Sequence, residues 1–299
     1  MRKPRVLVTG ASGFTGHYVC TALIKEGYEP LALTEDGSLS GKSIDLCDRE
    51  ALRIFIAKYR PESVIHLAAI AFVDHGNSSD FYRVNVIGTL NLLEQLEINN
   101  CITGKVILAS SANIYGNRYP NETISEDFHA EPLNDYAVSK YSMELMAKLH
   151  QKTLPIDIVR PFNYTGVGQS KQFLIPKIVD AFVNKHKTIT LGNLDVYRDF
   201  SDVRDIADYY TQVLKMPTSG DTYNFCSGKL VGITDIIKIC ESLAGYKIKV
   251  MSSQRFQRNT ELRSLLGDRR KIDKLVSNLL PKNIEETIKW MFEDRSLGN

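Results

Sequence analysis

The sequence predicts an α/β protein: a doubly wound parallel sheet covered by helices, with a smaller, interleaved C-terminal lobe. Three observations predict it. Short β-branched runs alternate with amphipathic helical patterns through about the first 165 residues. The runs are nearly all apolar, as strands buried on both faces are, and the strand–helix–strand rhythm implies parallel pairing. After about residue 165 the rhythm breaks: loops lengthen, basic residues cluster in "QRFQRN", and helices recur without regular strands.

The elements follow in order. "RVLVTG" reads as a strand and "GHYVCTALIKEGY" as a helix closed by Gly27. "EPLALT" is a second strand. "DREALRIFIAKYRP" is a helix with Asp48 as N-cap and Pro61 as stop. "SVIHLAA" is a strand, "FYRVNVIGTLNLLEQLEIN" a helix, "KVILAS" a strand, "DYAVSKYSMELMAKLHQ" a helix and "IDIVRPFN" a strand. "DTYNFCSG" reads as one more core strand, so the chain returns to the first lobe late. No internal repeat, linker or low-complexity tract interrupts it.

Composition bounds the function classes. The chain has 299 residues, enough for one large domain or two smaller ones with real cores. With 43% hydrophobic and 24% charged residues it reads as a soluble globular protein. A formal net charge of +2 gives no electrostatic argument for nucleic acid or a membrane surface. Cys20, Cys47, Cys101, Cys226 and Cys240 form no CxxC pair and stand beside no histidines at ligand spacing. They read as reduced thiols of a cytoplasmic protein, with neither disulfides nor a metal expected. "MRKPRVLVTG" lacks the apolar core of a signal peptide, and no run approaches membrane-spanning length.

"VTGASGFTG" places Gly10, Gly13 and Gly16 after the first strand and at the opening of the first helix. Small residues there let backbone approach a pyrophosphate, and the helix N-terminus offers unpaired N–H groups. The spacing is a GxxGxxG variant of the dinucleotide fingerprint, so the fold is expected to be Rossmann-type. Residues 1–165 and about 190–226 form the expected dinucleotide-binding domain; about 166–189 and 227–299 form the substrate lobe. Glu35 and Asp36 follow the second strand, where an acid usually accepts from the adenosine ribose. No arginine adjoins them in sequence to hold a 2′-phosphate, which favours NAD(H) over NADP(H). Asp45 and Leu46 in "IDLCD" either flank the adenine or belong to the loop before the next helix.

Tyr136 and Lys140 in "DYAVSKYSMEL" stand at i and i+4, on one helix face. A cation beside a phenol favours phenolate and fits it for proton exchange. YxxxK also occurs by chance on amphipathic helices; its company with the glycine loop makes it specific.

The glycine loop, the "HLAA" strand end, "SSANIYG" and "YAVSK" together resemble the extended short-chain dehydrogenase/reductase family, nearly over the full length. In the second half, "RPFNYTGVGQ", "LGNLDVYRDFSDVRDIADYY", "YNFCSGK" and "RNTELRSLLGD" resemble the branch acting on GDP-sugars, which holds both 4,6-dehydratases and 4-keto-6-deoxy-sugar reductases. The resemblance implies that Ser111 hydrogen-bonds the substrate oxygen at the reacting carbon. It makes Tyr136 the acid/base, and has Lys140 bind the nicotinamide ribose and tune Tyr136. It adds Phe14, Thr15, Leu67, Ala68 and Ala69 to the cofactor contacts. Hydride would pass from the nicotinamide to a C4 carbonyl, with Tyr136 protonating the alkoxide. It also implies a homodimer built through a four-helix bundle from the Asn85 and Tyr136 helices; in a monomer these would be ordinary sheet-covering helices.

Asn113 separates the branch members. Dehydratases resembling this chain carry a glutamate two residues after the catalytic hydroxyl residue, to help expel water. A carboxamide exchanges no proton usefully near neutral pH, and Ala112 beside it is inert. Reduction of GDP-4-keto-6-deoxy-D-mannose, to GDP-D-rhamnose or its C4 epimer, becomes the expected activity. A sugar 4-epimerase with tightly bound NAD, or a catalytically silent NAD(P)-sensing regulatory protein, stays open. For the nucleotide sugar, the resemblance points to Asn113 and Asn163, and to Arg198 and Arg258 as forked donors for the diphosphate. Glu261 would accept from ribose hydroxyls; Lys177 either nears the base or is a solvated lysine. Tyr164 and Val167 stand where histidine and proline are expected, and Tyr197 where a smaller residue is, so the sugar stays open.

Overall fold

The computed structural model describes residues 2–34, 42–71, 77–117, 119, 122–217, 219–252, 264–276 and 279–294. A parallel sheet of seven strands forms its centre, in the order β11-β7-β5-β4-β1-β2-β3. These strands are β1 (Arg5–Thr9), β2 (Glu29–Thr34), β3 (Lys42–Ser43), β4 (Ser63–His66), β5 (Val106–Ala109), β7 (Ile156–Pro161) and β11 (Thr222–Phe225). The chain moves from β1 outward through β2 and β3, then crosses back to β4 on the other side of β1. That reversal leaves a crevice at the carboxyl end of β1, where the glycine loop begins.

Strand alternation divides the core. Val6 and Val8 point to a cluster with Val19 and Leu23 of α1 (Phe14–Lys25) and Ile206, Tyr210 and Val213 of α7 (Val203–Lys215). Leu7 points the other way, to Leu52, Phe55 and Ile56 of α2 (Arg49–Tyr59), Leu92 and Leu96 of α4 (Thr89–Asn99), and Met143 of α5 (Asp135–His150). Both faces of β1, β4, β5 and β7 are therefore largely dry, and this made their apolar runs legible. Asp48 caps α2 by accepting from the Ala51 N–H at 2.9 Å, and the helix ends just before Pro61.

Two local differences from the sequence reading matter for the site. β4 ends at His66, and the chain then runs beside the end of β1: the Leu67 N–H donates to the Thr9 carbonyl at 3.2 Å and the Ala68 N–H to the Thr9 hydroxyl at 3.2 Å. The helix expected over "FYRVNVIGTLNLLEQLEIN" is helical from α3 (Ser78–Tyr82) through α4, but its stretch Arg83–Gly88 is a π-helix. Such wide turns concentrate at functional sites, and this one carries Asn85.

The chain beyond about residue 165 does contain strands outside the central sheet, contrary to the expectation of helices without them. β8 (Asn163–Thr165), β10 (Tyr197–Asp202), β12 (Leu230–Gly232) and β14 (Ser264–Gly267) assemble with β6 (Thr123–Ile124); β9 (Thr188–Leu191) pairs with β13 (Lys249–Ser252). Each is short, and β14 pairs with β6 across nearly half the chain, so no local pattern announced them. Helices α6 (Leu174–Val183), α8 (Ile233–Ala244) and α10 (Ile284–Glu293) bury Ile178, Phe182, Ile236, Ile237, Ile288 and Met291 against β9 and β10. α9 (Arg270–Asp273) lies against β11. All five cysteines are unpaired. No helix among the described residues is long and apolar enough to cross a membrane.

Candidate active site

The glycine loop is built by exclusion. Gly10 has φ +67°, and a Cβ there would lie 2.8 Å from the Ala68 backbone; a side chain would push the "HLAA" segment away. A Cβ at Gly16 would run into the Gly10 carbonyl oxygen. The Gly13 N–H donates to that carbonyl at 3.0 Å, closing the turn. No side chain caps α1, which starts at Phe14, so its first N–H groups face the crevice with positive dipole character. Leu67 and Ala68 border the loop through the contacts with Thr9 and Gly10, and Ala69 follows them half-buried. At the end of β2 the Thr34 hydroxyl is buried without a partner, a polar atom left over where an adenosine ribose would arrive. These features fit a dinucleotide. Glu35 and Asp36 lie outside the described residues.

Asp45 accepts from the Cys47 N–H at 2.8 Å and pairs with Arg83 at 3.4 Å, while Leu46 is buried under Gly88. Arg83 comes from the π-helix, distant in sequence from Glu35. Its guanidinium is held between Asp45 and Asp80.

Ser111, Tyr136 and Lys140 converge from two elements. Ser111 caps a 3-10 turn, Ala112–Tyr115, accepting from the Asn113 N–H at 3.2 Å. Its hydroxyl also shares a hydrogen bond with the Tyr136 phenol. Ser110 beside it is buried, its N–H donated to the Val159 carbonyl at 2.8 Å. Asn134 caps α5 one residue before its start, accepting from the Ala137 N–H. One turn beyond Tyr136, the Lys140 ammonium donates to the Ala109 carbonyl at 2.8 Å. Burial pushes the phenol up to about 12, with the Ser111 hydrogen bond pulling down and Tyr164 adding to the rise. Burial likewise pushes Lys140 down to about 8, against the pull of Glu144. The expected lowering of the phenol by the lysine is not found: desolvation of Tyr136 dominates, and the one opposing pull comes from Ser111.

Ser111 and Asn113 line one cavity together with Ala112, Pro161, Phe162, Asn163 and Leu265. No carboxylate is among these lining residues. Arg198 pairs in register with Leu265, at the edge of this cavity, and donates to the Tyr197 carbonyl at 2.9 Å. Lys177 is not brought to it; its ammonium donates to the Thr190 carbonyl at 2.9 Å inside the second lobe. Arg258 and Glu261 lie outside the described residues.

Two buried networks escaped the sequence reading. In the first, Thr89 donates to the Asn85 carbonyl, so its oxygen accepts from His66 Nε2 at 2.8 Å, and His66 Nδ1 accepts from the Thr9 hydroxyl at 2.7 Å. Burial and then the charge of Lys140 push His66 down to about 3, which keeps the ring neutral. The Asn85 amide bonds the Ile70 N–H and carbonyl and donates to Ser139, which donates to the Tyr136 carbonyl. The chain of contacts runs from the glycine loop to the Tyr136 helix.

In the second network, Arg160 of β7 makes a forked pair with Glu144 of α5 at 3.0 and 2.7 Å and donates to the Tyr115 hydroxyl at 2.8 Å. Tyr115 donates to Asn224 of β11 at 2.8 Å. The signals were present: a lone arginine in an apolar strand, and a glutamate one turn after Lys140.

The chain matches the NAD dependent epimerase/dehydratase family over residues 6–226, and it belongs to that family. It is 34% identical over 275 residues to GDP-6-deoxy-D-talose 4-dehydrogenase of Aggregatibacter actinomycetemcomitans, covering 92% of each chain. It is 29% identical over 273 residues to GDP-6-deoxy-D-mannose reductase of Pseudomonas aeruginosa, covering 88% of each. A solved structure from Burkholderia cenocepacia, described provisionally as an epimerase, is 41% identical and superposes with a TM-score of 0.90 over 97% of both chains. The extended short-chain dehydrogenase/reductase resemblance, its GDP-sugar branch, the parallel α/β fold and a nicotinamide dinucleotide as cofactor all stand with these findings.

Proposed function

We propose that the chain is an NAD(P)H-dependent 4-keto reductase acting on a GDP-4-keto-6-deoxy-sugar. The observation that carries this is the Ser111 hydroxyl, on the wall of a cavity whose described lining holds no carboxylate, with the Tyr136 phenol as its neighbour. A bound dinucleotide supplies the hydride at the sugar C4. Tyr136, protonated at neutral pH, gives its proton to the alkoxide oxygen, and Ser111 donates a second hydrogen bond to the same atom. Ketone, reduced cofactor and one proton become alcohol and oxidised cofactor. Gly10, Gly13, Phe14, Thr15 and Gly16 hold the pyrophosphate; Leu67, Ala68 and Ala69 border the cofactor; Lys140 holds the nicotinamide ribose. Glu35 and Asp36 take the adenosine ribose, and Asp45 and Leu46 the adenine. Asn113 and Asn163 face the sugar diphosphate, with Arg198, Arg258 and Glu261 as its further contacts.

The dinucleotide is NAD(H) or NADP(H), and the lack of an arginine beside Glu35 and Asp36 in sequence favours NAD(H). The higher identity to the talose enzyme than to the mannose reductase favours a 6-deoxytalose product over rhamnose. A 4-epimerase is the second reading, favoured by the description of the Burkholderia structure. Supplying GDP-4-keto-6-deoxy-D-mannose with NADH or NADPH separates them. Stoichiometric loss of reduced nicotinamide, with the product's C4 configuration read by NMR, is expected. Interconversion of C4 epimers without net cofactor consumption would sink the reductase. The five unpaired thiols suit a cytoplasmic enzyme.

We also propose a homodimer through the π-helix and α4 together with α5. Ile87, Ile98, Leu145 and Leu149 are exposed on these elements, apolar surface that a four-helix bundle would cover. Light scattering should give twice the chain mass; a one-chain mass removes the dimer.

A further inference from the structure

Tyr164 departs from the family pattern, and the structure shows where it went. Its strand, β8, carries Asn163 into the sugar cavity. Its own side chain turns to the other ligand's loop. The Tyr164 hydroxyl shares a hydrogen bond of 2.7 Å with the Thr15 hydroxyl in the first turn of α1. Its ring lies parallel to Phe14, centroids 6.0 Å apart with an interplanar angle of 9°. Phe14 in turn meets Tyr18 edge-on at 5.7 Å, and the Tyr18 hydroxyl donates to the Val167 carbonyl at 2.8 Å. The Tyr164 carbonyl accepts from the Gln169 amide at 3.2 Å, which fixes the strand end. Tyr164 is also close enough to Tyr136 for each ionised phenol to disfavour the other.

We propose that Tyr164 is a positioning residue for the dinucleotide: it ties the first turn of α1, where the pyrophosphate is held, to the strand that presents Asn163 to the sugar. A histidine, the residue expected here, is shorter and would not present a hydroxyl to Thr15 across the Phe14 ring. The bond fixes the Thr15 backbone, one of the N–H groups at the open end of α1, before any ligand arrives. Affinity gained this way comes from preorganisation. The inference rests on the reading of the glycine loop as a dinucleotide site.

The test is calorimetric titration of NADH and NADPH into the full chain and its variants, with melting temperatures measured alongside. Tyr164→Phe keeps the ring stack and removes the hydroxyl; Thr15→Val removes the other partner; Thr15→Ser keeps it. The first two are expected to weaken binding of the preferred cofactor by about 5-fold each, the size of one hydrogen bond. The double variant is expected to lose no more than either single one, because both act on one bond, and Thr15→Ser, which keeps the hydroxyl, to lose less than Thr15→Val. Binding unchanged in Tyr164→Phe overturns the proposal. So do additive losses in the double variant, or a Thr15→Ser variant as weak as Thr15→Val. A parent chain that binds neither cofactor overturns the dinucleotide reading itself, a different outcome from these.

Discussion

Replacing Tyr136 by phenylalanine lowers kcat by about 10²- to 10⁴-fold with little change in the KM for the nucleotide sugar. The phenyl ring keeps its packing against Phe81, whose centroid is 6.1 Å away, so the loss falls on proton transfer and not on folding. The pH profile separates the phenol from its neighbour. Tyr136, held up near about 12 chiefly by burial, stays protonated through the working range, as a proton donor must. Lys140, pushed down to about 8 by burial, loses its charge as pH rises through that value. The reduction rate of the parent enzyme therefore falls on the alkaline side of about 8 and not on the acid side of it. A Tyr136→Phe variant with full turnover would retire the catalytic assignment and leave the catalytically silent, cofactor-sensing protein as the better reading.

Replacing Arg160 by methionine destabilises the chain by about 3–5 kcal/mol, because it leaves the Glu144 carboxylate buried without its partner. Glu144 is fully buried and Arg160 nearly so. Burial alone would lower the guanidinium's pKa, and the hydrogen bonds and charge of Glu144 reverse that. Denaturant unfolding reads the loss. A second variant, Arg160→Met with Glu144→Leu, should recover much of it, since removing both charges also removes the desolvation cost. A loss below about 1 kcal/mol in the single variant, the range of an exposed pair, would show the pair to be solvated. The recovered double variant is also a probe of the site. Tyr115 closes the 3-10 turn that Ser111 opens, and Arg160 holds its hydroxyl.

The fold was legible where burial is two-sided. β1, β2, β5 and β7 stand where the apolar runs predicted them, and α2 begins at the cap residue its sequence suggests. The candidate site was legible where its chemistry is local: the glycines sit within one turn, and Tyr136 and Lys140 within one helix. What pairs across the chain was not. The Thr15–Tyr164 bond joins residues 149 positions apart. The His66 contacts with Thr9 and Thr89 depend on strand order, which a single strand does not reveal. The Asp45–Arg83 pair likewise joins residues 38 positions apart.

β11 closes the edge of the central sheet beside β7, whose six residues are all buried. During synthesis β7 is complete at Pro161, but its outer neighbour ends at Phe225. At typical elongation rates those intervening residues take about 3–13 s to emerge. Through that interval the nascent chain carries an apolar strand with one unpaired edge, the kind of surface that templates misassembly. The cavity waits longer still, since its wall includes Leu265. A chain whose glycine loop is made first completes this cavity late, so premature termination before β11 leaves the central sheet without its last strand and its edge unprotected.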